Sequence, residues 1–542
     1  MHTSNLSLKG GPDGVRTRDR PVKSRKLYLT KLQAHLYALG FLADLNGVLK
    51  SSASKKDTLN ASRSACDEGV RLCSSLIAKR HKGFGMNGVL SRMVNDEVFS
   101  AEDAELEVER LQREPSASFW SPAEGMKFTL IIPPTVYPPR EDTDLLARRI
   151  ISLGPGRGRK FLEVGTGSGA LSILANYMGW KVSGCDVNPF AVAATAGNMS
   201  ANGFNGDIRE GGVGPEPFPF NEKFDLIIWN LPYIDPKDIE QVLGPMEEAA
   251  LIDTDKLGLG NRLLQSVLSN QLLSPLGRIL VLGRKESTNN GHSFAYRTWD
   301  ELEFEDGEHL ALRCFWIPYE GAENKYVEKT GSTNEDLLLK SGIGTHISTG
   351  LQTSGRGRRQ RQWTSIEGSY AGSWIVAEGV DINPGHLQLS GGLAVLNSLG
   401  LEQLTLKWPN DILIDGKKLC GILAEGRNIQ QGMRVVLGIG MNLKTAIHDS
   451  EFEMAFLDEI YEIEFEEFDR RLHCELASLL EFREDLPPVR HEEIRNQVLG
   501  KMKSLGLPRY NGTIYSDFDL NERGELLLGG EAIDDGEYIT WV

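Results

Sequence analysis

Short apolar runs alternate with amphipathic stretches between residues 128 and 283. Four of the runs are four to six residues long and close at glycine or asparagine-proline turns: 161–164, 181–185, 224–229 and 278–282. Runs of this length are typical of buried parallel strands connected by crossover helices. After an acidic stretch, residues 314–318 predict a last strand. The pattern therefore predicts an α/β domain with a parallel sheet.

A second α/β unit follows a short linker at residues 319–324 and extends from Tyr326 to about Pro488. Beyond it, turn signals recur every few residues between short apolar stretches: Asn511-Gly512, Gly529-Gly530 and Asp535-Gly536. Closely spaced turns of this kind predict a small β-barrel. The predicted domains are residues 1–95, 96–320, 325–495 and 499–542.

Composition and charge narrow the class of protein. The chain has 40% hydrophobic and 25% charged residues, as globular chains do, and a net charge of −16. This acidic balance gives no global reason to expect nucleic acid as the main partner. No apolar run reaches the roughly 18 residues of a membrane span. The six cysteines are scattered without a CxxC pair, which argues against disulfides or a zinc site and favours a reducing cytoplasm.

The first 95 residues differ from the rest of the chain. They hold 17 Lys and Arg against 6 Asp and Glu, a net charge of +11, and lack clear periodicity. One interpretation is a basic arm that binds nucleic acid. The other is an over-extended gene model that truly starts near Met86 or Met93, because residues 10–20 look like a translated transfer-RNA gene. We favour the second, and expect a disordered or mis-annotated extension.

The sequence FLEVGTGSG at residues 161–169 predicts a strand that enters a glycine turn and then a helix. Glycines allow the backbone to approach a ligand closely. The spacing is G-x-G-x-G rather than the G-x-G-x-x-G of dinucleotide folds. Asp186 ends the next predicted strand, where a carboxylate can accept hydrogen bonds from ribose hydroxyls. A turn-forming Asx residue is the alternative interpretation of Asp186.

A later strand ends in a more specific motif, WNLPY at residues 229–233. The carboxamide of Asn230 offers both a donor and an acceptor to a planar amide, while Pro232 stiffens the turn and Tyr233 offers a flat face. The motif resembles the N-P-P-Y of methyltransferases that use S-adenosylmethionine to alkylate amide or amino nitrogens. The sequence VYPPREDT at residues 136–143 resembles the V-Y-x-P-x-E-D-T signature of release-factor glutamine methyltransferases.

This resemblance covers roughly residues 120–320 and implies a Rossmann-like fold, S-adenosylmethionine as the cofactor and a peptide release factor as a partner. The residues that it implies for the cofactor site are Thr143, Glu163, Gly165, Gly167, Asp186 and Asp207. It further implies that Asn230, Pro232 and Tyr233 hold the methyl acceptor, with Asn230 in a catalytic role. Leu231 departs from the family because it replaces the first proline. Two alternatives stay open: an inactive docking module, and methylation of adenine in RNA or DNA.

Five motifs mark the second α/β unit: KTGSTN at 329–334, QTSGRGRRQRQW at 352–363, KWPNDI at 407–412, KLCGILAE at 418–425 and GIGMN at 438–442. The first two motifs can also be explained without a bound substrate. Ser332 followed by Glu335 makes a capping box at a helix start, and an arginine run is usually a solvated loop or a nucleic-acid patch. A glycine-rich loop with arginines equally suits an ordered lid over phosphate, since arginine gives bidentate donors.

In this order and spacing the five motifs closely resemble biotin protein ligases over residues 325–542, including the SH3-like C-terminal barrel of that family. The resemblance implies biotin and ATP as substrates, Mg²⁺ bound with ATP, and a biotin carboxyl carrier protein as the partner. The binding residues that it implies are Ser332, Thr333, Asn334, Gln352, Arg356, Gly357, Arg358, Asn410, Asp411 and Lys418. Lys418 and Arg358 are the implied catalytic residues, and Mg²⁺ would lie near Asp411 rather than in a cluster of protein ligands. Gln360 departs from the usual glycine of the loop.

We therefore predict a cytoplasmic α/β fusion protein. A Rossmann-like methyltransferase domain precedes a biotin ligase catalytic domain and a small SH3-like barrel. The ligase would form biotinyl-5′-AMP and transfer biotin to a carrier lysine, and the methyltransferase would modify a protein glutamine. Neither nucleic acid nor a membrane is an expected partner.

Overall fold

The computed structural model describes residues 113–214, 218–232, 253, 255, 257–284, 292–304, 307, 309–446 and 453–542. The basic segment 1–95 and Tyr233 lie outside these ranges. By its internal contacts the chain divides into two compact units. The first comprises Met1–Ile151, Glu163–Pro219 and Pro232–Thr254, and the second Ser152–Leu162, Phe220–Leu231 and Asp255–Val542. Within the described ranges, no helix combines the length and apolarity needed to cross a bilayer.

The first unit contains the glycine turn and the helices around it. Its elements are β1 (Ser116–Trp120), β2 (Phe128–Ile132), α1 (Glu141–Ser152), the end of β3 (Lys160–Val164), α2 (Ala170–Tyr177), β4 (Lys181–Asp186), α3 (Pro189–Ala201) and β5 (Asp207–Glu210). Strands lie in the order β5-β4-β3, and β4 and β5 run parallel. Helix α3 begins where it does because the side chain of Asn188 accepts from the amide of Phe190, and Pro189 fits the first turn.

The second unit opens with the remaining strands of this sheet. They are β6 (Phe224–Asn230), β7 (Leu273–Arg284), β8 (Ala295–Glu303) and β9 (His309–Trp316), with α4 (Leu259–Ser269) between β6 and β7. The order is β3-β6-β7-β9-β8; β6 and β7 are parallel, but β9 is antiparallel to both β7 and β8. The runs predicted as parallel strands form β3, β4, β6 and β7, whereas the sequence assigned no direction to the last strand, which is β9, and did not predict β8. Adjacent strands joined by a short connection must run antiparallel, because a parallel pair needs a crossover of a dozen or more residues.

A seven-stranded sheet forms the centre of the second α/β part, in the order β10-β11-β14-β18-β17-β16-β15. Its strands are β10 (Asn324–Tyr326), β11 (His346–Thr349), β14 (Tyr370–Gly379), β15 (Leu404–Lys407), β16 (Asp411–Ile414), β17 (Lys417–Ile429) and β18 (Gly432–Met441). A short hairpin, β12 (Gly355–Arg356) and β13 (Gln362–Trp363), stands apart from it. The helices are α5 (Thr333–Leu338), α6 (Pro384–Leu399), α7 (Phe465–Leu480) and α8 (His491–Lys503).

The C-terminal segment forms two three-stranded antiparallel sheets. Their strands are β19 (Pro508–Tyr510), β20 (Thr513–Ile514) and β24 (Ile539–Trp541) in one, and β21 (Phe518–Leu520), β22 (Leu526–Leu528) and β23 (Glu531–Ile533) in the other. The predicted turns fall between strands: Asn511 and Gly512 have φ values of 48° and 80°, in the left-handed region that such hairpins require. The SH3-like barrel itself stays a prediction.

Within the second unit, helix α7 packs along β8. The guanidinium of Arg297 on β8 donates to four backbone carbonyls at the end of α7 and beyond it: Ala477 (3.0 Å), Ser478 (2.5 Å), Glu481 (2.6 Å) and Pro487 (2.7 Å). The last carbonyls of a helix have no partners within it, so Arg297 serves as their cap. Burial lowers the pKa of Arg297 to about 10.

The predicted linker at residues 319–324 begins inside this packing. Tyr319 is buried, and its amide donates to the carboxylate of Glu481 at 2.9 Å. The same carboxylate accepts from the indole of Trp316 at 2.8 Å. Arg278, whose side chain is only 2% exposed, is ion-paired with Asp485. Strands β7–β9 and the region after α7 therefore share buried polar contacts.

Candidate functional site

In the first unit, the glycine turn and Asp186 form one hydrogen-bonded structure. The amide of Gly167 donates to Asp186 Oδ2 at 2.9 Å, and the amide of Asn188 donates to Oδ1 at 2.8 Å. The second bond is the Asx turn considered as an alternative. Because each carboxylate oxygen keeps a free lone pair, the Asx turn and acceptance from ribose hydroxyls are compatible. Burial raises the pKa of Asp186 to about 6, against the lowering effect of the two amides.

The turn also requires its glycines. Gly165, Gly167 and Gly169 have φ values of 69°, 52° and 80°. A Cβ on Gly169 would lie 2.9 Å from Thr195, so a side chain fits neither the backbone conformation nor the available space. The backbone of this loop is thus left bare toward a ligand.

Glu163 and Thr143 are both buried in this unit. The hydroxyl of Ser172 donates to Glu163 at 2.5 Å. Burial raises the pKa of Glu163 to about 8, although the bond from Ser172 opposes the shift. Thr143 lies in the first turn of α1, where its amide donates to Asp142 at 2.6 Å.

Asp207 is placed differently from the other implied cofactor residues. It begins β5 opposite Ser183, and it forms a half-exposed ion pair with Arg209 at 2.5 Å. The residue opposite Asp186 is Glu210, at the carboxyl end of β5. Ligands of open α/β sheets bind at the carboxyl ends of the strands, so Glu210 is a further candidate for the cofactor site beside Asp207. No sequence motif marks Glu210, and only strand register identifies it.

Of the implied methyl-acceptor residues, Asn230 belongs to the second unit and Pro232 to the first, while Tyr233 lies outside the described residues. Asn230 is the last residue of β6 and faces Leu282 of β7 in register. The amide of Leu231 donates to the carbonyl of Leu282 at 2.9 Å, and its side chain is buried near Gly283. A proline at this position could not make that bond. Leu231 therefore extends the pairing of β6 and β7 by one residue.

In the second α/β part, helix α5, β14 and the segment after β11 bring four polar residues together. The side chain of Gln352 accepts from the amide of Thr333 at 2.9 Å. The hydroxyl of Ser373 on β14 donates to Asn334 Oδ1 at 2.6 Å, and its oxygen lies 2.7 Å from the hydroxyl of Thr333. Ser332, Thr333 and Asn334 are at most 4% exposed. Buried hydroxyl and amide groups of this kind can match the donors and acceptors of a urea ring.

The capping-box interpretation of Ser332 is wrong. Ser332 holds the N-cap position of α5 with an extended backbone, but its side chain makes no capping hydrogen bond. The helix is short, and Ser332 is instead 2% exposed beside Thr333. A capping bond at the start of α5 therefore does not explain why a serine stands at position 332.

The glycine-arginine loop is folded into the β12–β13 hairpin. Gly355 pairs with Trp363, and Arg356 pairs with Gln362 and bonds Glu425 at 3.1 Å. Glu425 also accepts from the amide group of Asn334 at 2.7 Å, so it links this loop to α5. Burial lowers the pKa of Arg358. The backbone of Gln360 lies in a 3₁₀ turn, and its side chain lies outside the described part of the structure.

A shift in strand register sets the direction of the Lys418 side chain. The register of β16 and β17 shifts between Ile412 and Leu413, which places Lys418 opposite Leu413. Such bulges re-aim side chains. The ammonium of Lys418 lies 2.7 Å from Asp411 and 5.7 Å from the centre of the Trp363 ring.

The indole of Trp363 rests on two glycines. A Cβ on Gly421 would lie 3.0 Å from this ring, and one on Gly440 would lie 2.5 Å from it. The glycines of the KLCGILAE and GIGMN motifs thus allow the ring to approach the sheet. Asn410 is fixed to the neighbouring strand, because its carbonyl accepts from the amide of Ile422 and its side-chain amide donates to the carbonyl of Ile422.

The structure thus brings most of the implied ligase residues into two adjoining groups. One group contains Thr333, Asn334, Gln352 and Arg356, and the other contains Asp411 and Lys418. The residues that were not expected are Ser373, Glu425 and Trp363. Glu425 and Trp363 stand inside recognised motifs, but Ser373 has no sequence signal.

Comparisons with known proteins match both parts of the chain. The family model "Biotin/lipoate A/B protein ligase family" matches residues 330–442, and "Ribosomal protein L11 methyltransferase" matches residues 151–232. A biotin–[acetyl-CoA-carboxylase] ligase of Mycobacterium tuberculosis is 31% identical over 227 residues, 38% of this chain and 84% of the relative. A release factor glutamine methyltransferase of Aliivibrio fischeri is 34% identical over 149 residues, 27% of this chain. The chain spans about half of that methyltransferase, 52% of its length.

Among solved structures, a biotin protein ligase from Aquifex aeolicus in complex with biotin and ATP is 25% identical and has a TM-score of 0.33. The match covers 41% of this chain and 99% of that one. The sequence relatives, rather than this fold comparison, decide the family. The chain belongs to the biotin protein ligase family and carries, ahead of the ligase, a domain like the release-factor glutamine methyltransferases.

Proposed function

We propose that the chain joins biotin and ATP to form biotinyl-5′-AMP and then transfers biotin to a lysine of a biotin carboxyl carrier protein. The observation that carries this proposal is the placing of Lys418, Asp411 and Trp363 at one side of the sheet. The arginine loop and the buried Thr333–Gln352 pair adjoin them. Cationic groups beside a buried polar pocket suit a substrate with a carboxylate at one end and a polar ring at the other.

In the first step, an oxygen of the biotin carboxylate bonds to the α-phosphorus of ATP, and pyrophosphate leaves. Negative charge develops around that phosphorus, and Lys418 and Arg358 are the cations proposed to stabilise it. Mg²⁺ bound with ATP would neutralise phosphate charge, and Asp411 is the nearby carboxylate. In the second step, the amine of the carrier lysine attacks the biotin carbonyl carbon, an amide bond forms, and AMP leaves with the anhydride oxygen.

The test residue is Lys418, since its charge serves the reacting centre directly. Removal of a positioned cation costs on the order of 10²–10³ in rate. We expect Lys418→Ala to reduce biotin-dependent ATP–pyrophosphate exchange and carrier labelling by that factor. Lys417→Ala is the matched control, because Lys417 is exposed on the same strand. Exchange at the parental rate in Lys418→Ala would remove this residue from the mechanism, and no exchange in the parent would refute the ligase activity.

We further propose that the upstream domain binds S-adenosylmethionine and methylates a protein glutamine, with a peptide release factor as the acceptor. The supporting observation is the bond from the Gly167 amide to Asp186, which holds a carboxylate with free lone pairs beside a bare glycine turn. S-adenosylmethionine, when bound, supplies an electrophilic methyl group. Asp186 would hold its ribose, and the carboxamide of Asn230 would orient the acceptor nitrogen.

Two variants separate these roles. Asn230→Ala should leave S-adenosylmethionine binding nearly unchanged in calorimetry but abolish methylation of release factor. Asp186→Asn keeps one acceptor oxygen for the turn and should weaken cofactor binding first. No binding heat in the parent protein would favour the docking module, and labelling of RNA or DNA instead of protein would favour the adenine alternative.

A further inference from the structure

The C-terminal segment meets the arginine loop at the turn Asp535-Gly536-Glu537, called here the acidic turn. A Cβ on Gly536 would lie 2.6 Å from Pro409 and 3.3 Å from the carbonyl of Trp408. The indole of Trp408 donates to the carbonyl of Gly524 at 2.9 Å. The acidic turn is therefore seated closely against the KWPNDI motif, which continues into Asp411.

The carboxylates on both sides of Gly536 reach the arginine loop. Asp535 lies 2.7 Å from Arg359, and its side chain is only 13% exposed. Glu537 lies 3.1 Å from the same guanidinium and is also ion-paired with Arg361. The other oxygen of Asp535 accepts from the amide of Glu537 at 3.1 Å, which keeps the turn compact.

The conformation of the arginine loop depends on contacts with residues outside the loop. Arg359 has a φ of 54°, a left-handed conformation that is unfavourable for a residue with a side chain. Within the loop, the amide of Gly357 donates to the carbonyl of Arg361 at 2.8 Å. The hairpin ladder below it is only two residues long on each strand. Ion pairs to the acidic turn are the contacts that tie its tip to the rest of the protein.

The arginines of the loop thus divide between two tasks. Arg359 and Arg361 are paired with carboxylates of the acidic turn, whereas Arg358, which precedes them in the loop, is the residue proposed to meet the phosphate. We propose that the acidic turn is a latch: Asp535 and Glu537 hold the loop closed before substrates bind, and so determine how much biotinyl-adenylate escapes. This inference rests on the proposed ligase function and makes both residues positioning residues.

If the latch is lost, the protein should still form biotinyl-adenylate but should retain less of it. Loss of the latch removes neither Lys418 nor Arg358, so the first chemical step should continue, although Arg358 loses the attraction of Asp535. Released biotinyl-adenylate reacts with any accessible lysine, because the mixed anhydride carbon is attacked by an amine and AMP leaves. An unlatched protein should therefore label bystander proteins as well as its carrier.

The first experiment needs no enzymatic activity. The full chain is treated with a trace of trypsin without substrates, and cleavage within residues 356–361 is followed by mass spectrometry. Half-exposed ion pairs are individually weak, so the loss of the latch in Asp535→Asn/Glu537→Gln should raise cleavage about three- to tenfold. Glu531→Gln, which neutralises an exposed carboxylate of the same segment, is the matched control and should leave it unchanged. Equal cleavage in all three proteins would overturn the latch.

A second experiment measures retention. We expect released biotinyl-adenylate and bystander labelling to rise about three- to tenfold in Asp535→Asn/Glu537→Gln, while biotin-dependent pyrophosphate exchange stays within about twofold. Gly536→Val keeps both carboxylates but displaces the turn from Pro409, and should release as much adenylate. High salt should raise release from the parent protein but not from the double variant, since salt screens exposed ion pairs.

A mutant cycle between Arg359→Gln and Asp535→Asn distinguishes the latch from general destabilisation. If the two residues act through one contact, the double variant should release no more adenylate than the stronger single variant. Additive effects would overturn the proposal. If the parent protein shows no pyrophosphate exchange, the ligase function is refuted. The latch would still be supported if trypsin cleaves the loop faster in Asp535→Asn/Glu537→Gln than in the parent.

Discussion

Arg297 is the side chain whose removal should most clearly reveal how strands β7–β9 support the ligase part. The substitution Arg297→Met keeps an unbranched chain of similar length but removes every donor. Four carbonyls at the end of helix α7 and beyond it would lose their bonds at once. A methionine has no donor with which to replace a planar guanidinium that serves four acceptors in different directions.

The expected cost follows from the environment of these bonds. Hydrogen bonds from a charged donor contribute about 1.5–3 kcal/mol each, but the loss of several from one side chain is less than additive. Removing one member of a buried charged interaction costs about 3–5 kcal/mol in total. We expect a loss of that size in the free energy of unfolding, and a fall of roughly 5–10 °C in Tm.

The assay is urea denaturation followed by tryptophan fluorescence, together with pyrophosphate exchange at a low temperature. Arg209→Met is the control, because the ion pair of Arg209 with Asp207 and its bond to the carbonyl of Pro219 are exposed and their loss should cost only about 1 kcal/mol. Exchange should persist in Arg297→Met wherever the protein is folded. A stability within about 1 kcal/mol of the parent would show that the four bonds contribute nothing net, and would refute the reasoning.

Two further results are expected. Since burial raises the pKa of Glu163 to about 8 from an ordinary 4.5, the folded unit keeps a proton that the unfolded chain releases, and its stability should fall as pH rises through that interval. Glu163→Gln, which can still accept from Ser172, should flatten the change in Tm between about pH 5 and pH 8; an unaltered slope would exclude Glu163 as its cause. Leu231→Pro restores the family motif but removes the bond to Leu282 and the packing on Gly283, so it should cost about 1–3 kcal/mol in thermal unfolding. A gain in stability would instead show that a stiffer proline turn outweighs the contacts of Leu231.

The local parts of both sites were predictable from the sequence. The glycine turn, Asp186 and the loop before Lys418 are short segments whose geometry depends on nearby residues, and the buried strands follow from their apolar runs. Asp207 shows the limit of this approach, because its distance from the carboxyl edge depends on the pairing of β4 with β5. Strand register is a tertiary property and is weakly encoded in four exposed or half-buried residues.

Contacts between distant segments were not predictable at all. Arg297 looks like an ordinary surface arginine in a strand of mixed character, and its partners lie about 180 residues later. Asp535 and Glu537 belong to a turn that the sequence predicts correctly, but nothing local indicates that they bind an arginine loop some 175 residues earlier. The packing of the elements determines such pairs, and a single sequence carries no record of that packing.

The burial of Tyr319 and Trp316 against Glu481 bears on how this gene can change. A recombination that divides the chain near residue 320 would separate two halves that each leave buried polar groups without partners. A free ligase descended from this protein would first need new residues in place of Glu481 and Asp485, before any benefit of separation could be selected. Loss of the fusion therefore requires more changes than its retention. The two parts can stay joined even if the ligase and methyltransferase reactions do not depend on each other.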